Sequence, residues 1–168
     1  MEVELRKWKI EDARFFAQSL SNKKILDNLR DGIPYPYTID DAKEYIEYIL
    51  NRDNDDIIVF AIIADGDIVG NISVERCDNI HFRTGEMGYY IAQEYWGLGI
   101  GSMAIKLMCK YIFENTDIIR IFAEPFAYNK ASCRILEKNG FMLEGTLRCN
   151  AVKNDEIVDM RMYSLIKE

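Results

Sequence analysis

Gly88-Tyr-Tyr-Ile-Ala-Gln-Glu-Tyr-Trp-Gly-Leu-Gly-Ile-Gly101 is the stretch on which the fold turns. Gly85 to Ala92 reads as a β-strand, and Ile105, Leu107, Met108, Tyr111 and Ile112 recur downstream at the spacing of an amphipathic helix. Between them, Gly97, Gly99 and Gly101 let the backbone approach a ligand, and the first helical turn carries N–H groups without intrahelical partners. That arrangement is a cradle for phosphate. A glycine turn can equally serve only to join strand to helix, so the spacing leaves both readings open.

Two familiar phosphate loops do not match. A P-loop ends in Gly-Lys-Ser/Thr, whereas Gly101-Ser102-Met103 has no lysine. A dinucleotide fingerprint needs a third glycine where Ser102 stands, although Glu124 lies about where a ribose-binding acid is expected. Several antiparallel strands precede the loop and only one β-α-β crossover surrounds it. Nucleotide binding is therefore the weaker alternative.

Working upstream, Ile57–Ile63 and Ile68–Val74 are β-rich runs joined by Ala64-Asp-Gly-Asp67, a hairpin signal because glycine supplies the positive φ of a tight turn. Asp31-Gly-Ile-Pro-Tyr-Pro-Tyr-Thr38 is a loop, since each proline restricts itself and its predecessor. Tyr35 and Tyr37 in it either anchor the loop on the core or touch substrate. Thr38 or Asp40 caps a helix with Ala42, Tyr45, Ile46, Ile49 and Leu50 at helical spacing, and Asp12–Leu20 is a further helix after an edge strand at Val3–Trp8. Downstream, Ile118–Ala123 is a strand and Asn129–Lys138 a helix, with Asn129 as N-cap and Gly140 as terminator. Phe141–Ala151 and Glu156–Leu165 are the last two strands. The order predicts one α+β domain over residues 1–168, with a mixed, mostly antiparallel twisted sheet and about four helices.

The chain has 168 residues and a formal charge of −7, with 49% hydrophobic and 29% charged residues. It is long and apolar enough for one core. The acidic balance argues against a general nucleic-acid binder, which needs surplus Lys and Arg to neutralise phosphates. No apolar run approaches the roughly 20 residues that span a bilayer. The opening Met1-Glu-Val-Glu-Leu-Arg lacks the basic and apolar regions of a secretory signal, so a cytoplasmic location is expected. Cys77, Cys109, Cys133 and Cys149 are dispersed and His81 is the only histidine, which argues against a metal site and for reduced, mostly buried thiols.

Taken together, Gly88–Gly101 and Asn129-Lys-Ala-Ser-Cys-Arg-Ile-Leu-Glu-Lys-Asn-Gly-Phe141 resemble the GCN5-related N-acetyltransferase superfamily. The likeness is to its branch of ribosomal-protein N-terminal and spermidine acetyltransferases, and it extends over nearly the whole chain. The resemblance implies an acetyl-CoA cofactor, with its pyrophosphate on the amides of Gly97, Leu98, Gly99, Ile100, Gly101 and Ser102. It also implies that the pantetheine arm lies where the strands Gly85–Ala92 and Ile118–Ala123 splay apart, near Ile91. Asn129 matches the asparagine that bonds this arm, and Ser132, one helical turn on, lies near the thioester sulfur. Trp96 stands where Gln or Arg is usual, and Leu136 stands where a tyrosine general acid is often found. Ser132, or a water it holds, then becomes the candidate proton donor.

The chemistry can be stated apart from the family. An amine attacking a thioester must lose a proton, the carbonyl oxygen needs a hydrogen-bond donor as it becomes an oxyanion, and the thiolate is protonated as it leaves, so base, oxyanion donor and acid are the roles to fill. Glu86, which shares a strand face with Gly88, Tyr90 and Ala92, is the candidate base; the other reading is a solvated strand-end or ion-paired glutamate. An N–H near Tyr90 or Ile91 is the candidate oxyanion donor, and the Tyr90 and Tyr128 hydroxyls are alternative proton carriers or simply packing residues. His81 is expected to be exposed and inert, and Met103, Met108, Met160 and Met162 to fill the core. Val158, Met160 and Met162 alternate with Asp159, Arg161 and Tyr163 as in a half-buried strand. The reading is acetyl transfer to a primary amine, either a protein N-terminus or a small amine, by a monomer or homodimer without nucleic-acid or membrane partners. The alternative is a CoA-binding sensor module without catalysis.

Overall fold

The computed structural model describes residues 1–52 and 56–168. Seven strands form one sheet in the order β1-β2-β3-β4-β5-β7-β6. They are β1 (Val3–Arg6), β2 (Ile57–Ala64), β3 (Asp67–Arg76), β4 (Thr84–Ile91), β5 (Arg120–Ala123), β6 (Met142–Lys153) and β7 (Glu156–Ile166). The five helices are α1 (Ala13–Leu20), α2 (Lys23–Leu26), α3 (Ile39–Asn51), α4 (Ile100–Asn115) and α5 (Lys130–Lys138). The single turn of α2 is one more helix than the periodicity predicts, because four residues are too few to show a period.

β2 reads Ile-Ile-Val-Phe-Ala-Ile-Ile-Ala because both of its faces are covered. Ala61 and Ile63 pack with Trp8, Phe16 and Ile46 under α1 and α3, while Phe60, Ile62 and Ala64 pack with Ile105, Met108 and Leu136 under α4 and α5. Trp8 is buried, and its Nε1–H donates to the Asn71 side-chain oxygen at 2.9 Å, satisfying a polar pair inside the first cluster. The β2–β3 turn places Asp65 and Gly66 at φ 49° and 92°, the two left-handed residues that a two-residue hairpin requires. Asn154 and Asp155 do the same between β6 and β7, at φ 50° and 63°. Thr38 caps α3 in a box with Asp41, and the Asn129 side chain caps α5.

The feature that makes room for a ligand is the β4–β5 junction. These strands are parallel and pair only at Thr84–Arg120, Gly85–Ile121 and Glu86–Phe122. β5 then ends and leads to Pro125, while β4 runs on to Ile91 with β3 alone beside it. The sheet is thus open on one side of Met87–Ile91, as the expected splay requires.

Two packing expectations need correction. Met108 is fully buried and Met160 nearly so, but Met103 is 36% exposed, because its position on α4 faces away from the sheet. Tyr163, assigned by alternation to the solvent side of β7, is 0% exposed. It lies under α5, with its hydroxyl donating to Glu137 at 2.7 Å, because this face of β7 is the one that α5 covers.

Candidate active site

The open edge of β4 forms one wall of a cavity of about 830 Å³, floored by α4 and α5 and closed on the far side by the segment after α2. That volume suits a small-molecule ligand.

At one end the lining is main chain. Gly97 and Gly99 have φ of 79° and 78°, and a Cβ on either would stand in open space, so they are glycines for their backbone angle and not for lack of room. Gly99 is the N-cap of α4 and no side chain caps this helix; the Met103 N–H bonds back to the Gly99 carbonyl at 3.3 Å. The amides of Gly99, Ile100, Gly101 and Ser102 precede that bond and have no intrahelical acceptor. Together with the dipole of α4, they suit a phosphate. The Ile100 side chain is buried and anchors the turn, Leu98 is half exposed, and Ser102 Oγ accepts from Asn139 Nδ2 at 2.9 Å, tying α4 to the end of α5. Arg134 and Lys138, four apart on α5, line the same end. The sequence reading passed over them, though their helical spacing and charge were visible. Trp96 lines the mouth and donates from Nε1 to the Ile91 carbonyl at 2.7 Å.

In the middle, the strand register decides which groups face the gap. The Ala92 N–H donates to the Val69 carbonyl, and in an antiparallel ladder alternate residues face the same neighbour, so Gly88 and Tyr90 turn their main-chain groups to β3. Tyr89 and Ile91 turn theirs toward the gap. Of the two residues named for the oxyanion donor, Tyr90 is therefore spent on the ladder and Ile91 faces the cavity. The side chains alternate as well. The Tyr90 hydroxyl lies on the α1 side, 2.9 Å from Ser19 Oγ, and burial holds it far above the usual tyrosine range. Tyr89, which the sequence reading did not single out, turns to α5 and places its hydroxyl 2.6 Å from Ser132 Oγ. Burial pushes its pKa up to about 12. Asn129 Oδ1 accepts the Ser132 N–H at 3.2 Å, so its remaining polar group toward the cavity is Nδ2. Leu136 is fully buried in the core. The Tyr89 and Ser132 side chains line the cavity instead.

At the other end the lining is ionic side chains. Glu86 on β4 and Glu124, just past β5, converge on the guanidinium of Arg30 from the segment after α2. Arg30 pairs closely with Glu86 and stands 3.5 Å from Glu124. The Glu124 carboxyl is raised above the usual glutamate range, first by burial and then by the charge of Glu86, with Arg30 opposing both. Glu124 entered the sequence reading only as a ribose-binding acid, and Arg30 did not enter it at all.

Other residues lie away from this cavity. Tyr128 stacks on Phe126 and donates its hydroxyl to the Asp27 carbonyl, so it straps two segments together. Tyr37 is buried as a loop anchor, while Tyr35 is exposed under the Lys23 ammonium. His81 is exposed in a 3₁₀ turn before β4. Cys109 and Cys133 are buried, Cys77 is partly so, and Cys149 is exposed. Among the described residues no group of His, Cys, Asp and Glu is placed to hold a metal, and no helix is long and apolar enough to cross a membrane.

Residues 2–142 match the acetyltransferase (GNAT) domain, and the chain belongs to that family. It is 32% identical over 127 residues to the SPbeta prophage-derived uncharacterized N-acetyltransferase YokL of Bacillus subtilis (strain 168), covering 74% of this chain and 68% of the relative. It is 28% identical over 108 residues to the ribosomal-protein-serine acetyltransferase of Escherichia coli (strain K12), covering 64% of this chain and 60% of that protein. The fold is similar to that of RimL, a ribosomal L7/L12 alpha-N-protein acetyltransferase solved with coenzyme A: TM-score 0.88, 23% identity, 98% of this chain and 94% of that one.

Proposed function

We propose that this protein transfers an acetyl group from acetyl-CoA directly to a primary amine. The observation that carries this reading is the open edge of β4, which joins an uncapped helix N-terminus to a carboxylate pair within one cavity. The residues present fit the cofactor: free amides and the cations Arg134 and Lys138 suit its phosphates, and the outward main-chain groups of Tyr89 with Asn129 Nδ2 suit an amide-bearing arm. Acetyl-CoA, when bound, supplies the acetyl group as an activated thioester.

The chain's own groups fill the remaining roles. The Glu86–Glu124 pair accepts the proton that an ammonium must lose before it attacks, and the raised carboxyl of Glu124 makes the pair a better base than an isolated glutamate. The Ile91 N–H donates to the oxygen as it gains charge. Tyr89 remains protonated at neutral pH because burial has moved its hydroxyl to about 12. Tyr89, backed by Ser132, therefore stabilises the departing sulfur by hydrogen bonding. Carboxylates at the acceptor end suit a cationic amine, either a protein N-terminus or a small amine, in the cytoplasm where acetyl-CoA is made.

The experiment is a thiol-release assay with acetyl-CoA against spermidine, aminoglycosides, aromatic amines and peptides with free N-termini. Turnover on one class supports the reading and names the acceptor. Tight acetyl-CoA binding with no turnover on any class shifts the reading to a CoA-binding sensor, and no CoA binding overturns both.

A further inference from the structure

Arg30 occupies the place where the acceptor's charge belongs. Its side chain is 60% exposed and comes from an irregular segment, yet the guanidinium lies between two carboxylates that are themselves only 30% and 19% exposed. Packing holds it only weakly, because more than half of the side chain is exposed. What holds it is the attraction of two acids brought together by β4 and β5, so a cation of similar charge can replace it. Arg30 also has somewhere to go. It lies on the wall between the main cavity and a second cavity of about 550 Å³, and the far side of that wall carries the carboxylates of Asp27 and Asp31. The segment itself is tied down without Arg30: Lys153 Nζ reaches Asp31 at 2.7 Å and Asn154 Nδ2 reaches Asp27 at 3.0 Å.

We infer that Arg30 is an internal cation that occupies the acceptor subsite between Glu86 and Glu124 and must be displaced by the incoming ammonium, so that it sets selectivity against polycationic amines. The inference rests on the reading of that carboxylate pair as the acceptor's ammonium subsite. With Arg30 in place, the pair offers an entering cation two partly neutralised acids. A monoamine has one charge with which to displace the guanidinium, and a polyamine gains little from its further charges while the second acid remains paired. Without Arg30, both acids are free and multiply charged amines gain most.

The test is calorimetric titration of spermidine into the CoA-bound protein as wild type, Arg30→Gln and Arg30→Lys, with a monoamine, benzylamine, in parallel. Arg30→Gln is expected to bind spermidine about tenfold more tightly, in keeping with exchange of a partly exposed charge-assisted pair. Arg30→Lys restores wild-type affinity, and benzylamine changes by less than about threefold, since one charge gains less than several. The gain disappears when Glu86→Gln and Glu124→Gln are added. A tighter complex is something that loss of a merely structural residue does not produce. Equal or weaker binding of spermidine by Arg30→Gln, or no binding by any variant, overturns the inference. Because the readout is binding, absence of turnover in the thiol-release assay counts against the proposed activity and leaves this result to be decided separately.

Discussion

At one end of the cavity the ligand-facing groups are chiefly main-chain amides from the consecutive run Gly99–Ser102, and at the other they are the side chains of Arg30, Glu86 and Glu124, drawn from three distant segments. The first end is a local structure: two left-handed glycines and an uncapped helix make it, and it needs little from the rest of the fold. The second exists only because β4 and β5 pair at Glu86–Phe122 and the segment after α2 folds over them. A surface of backbone amides recognises what every member of a cofactor class shares. A cluster of charged side chains can change with few substitutions, and on the proposed reading that is where an acceptor is chosen.

If this division holds, substitutions at the two ends have separable effects. The largest is expected from the double change Glu86→Gln with Glu124→Gln, which removes the proton acceptor: turnover falls by about 10²- to 10⁴-fold while acetyl-CoA affinity changes little. Steady-state kinetics beside calorimetry would measure it, and a matching loss of acetyl-CoA binding would break the division. Tyr89→Phe is next, lowering turnover by about 10- to 100-fold through loss of one hydrogen bond to a developing charge, with Tyr90→Phe having a much smaller effect. Equal effects of the two would mean that strand parity does not sort the hydroxyls.

Gly99→Val reads the other end. Holding a β-branched residue at φ 78° costs about 1 to 3 kcal/mol, and acetyl-CoA affinity is expected to fall by about tenfold with the acceptor KM unchanged. The pH profile sharpens the acceptor end. Because Glu124 is raised, the acid limb of kcat/KM lies above the ordinary glutamate range, and Glu124→Gln moves it down. The linkage sign is the reverse of a salt-bridged acid: the folded state holds the proton more tightly, so stability falls as pH rises through the unfolded and then the folded pKa. Thermal unfolding against pH, with and without Glu124→Gln, measures this term. The smallest effect is Lys153→Met, which frees Asp31 and loosens the Arg30 segment; because Asp31 is 77% exposed, stability changes by less than about 1 kcal/mol, and because Arg30 is then more easily displaced the acceptor KM falls by about two- to threefold.

The cofactor end was largely legible in the sequence for the reason that makes it local. Gly97, Gly99, the N-cap Asn129 and the Asp-Gly turn each act on their immediate neighbours, and a residue's own backbone preference is written in its identity. Alternation also placed Glu86 and Tyr90 on one face, as they are in the structure. Alternation does not say which face meets which helix. Tyr89 was missed because two adjacent tyrosines look equivalent until α1 lies beside one and α5 beside the other.

The acid–cation cluster was beyond local reading. Arg30 and Glu86 are 56 residues apart, Arg30 and Glu124 are 94 apart, and the Lys153–Asp31 pair that ties down the segment spans 122. None of these residues shows a period, a turn preference or a cap that would mark it. Hydrophobic patterning and turn chemistry alone specified the strands, four of the five α-helices found among the described residues and their order, because those signals act over a few residues. Which charges meet across the open edge of β4 followed from how far β5 runs before it ends. That is a property of packing, since the same carboxylates would be solvated and independent in a chain that brought them together with nothing.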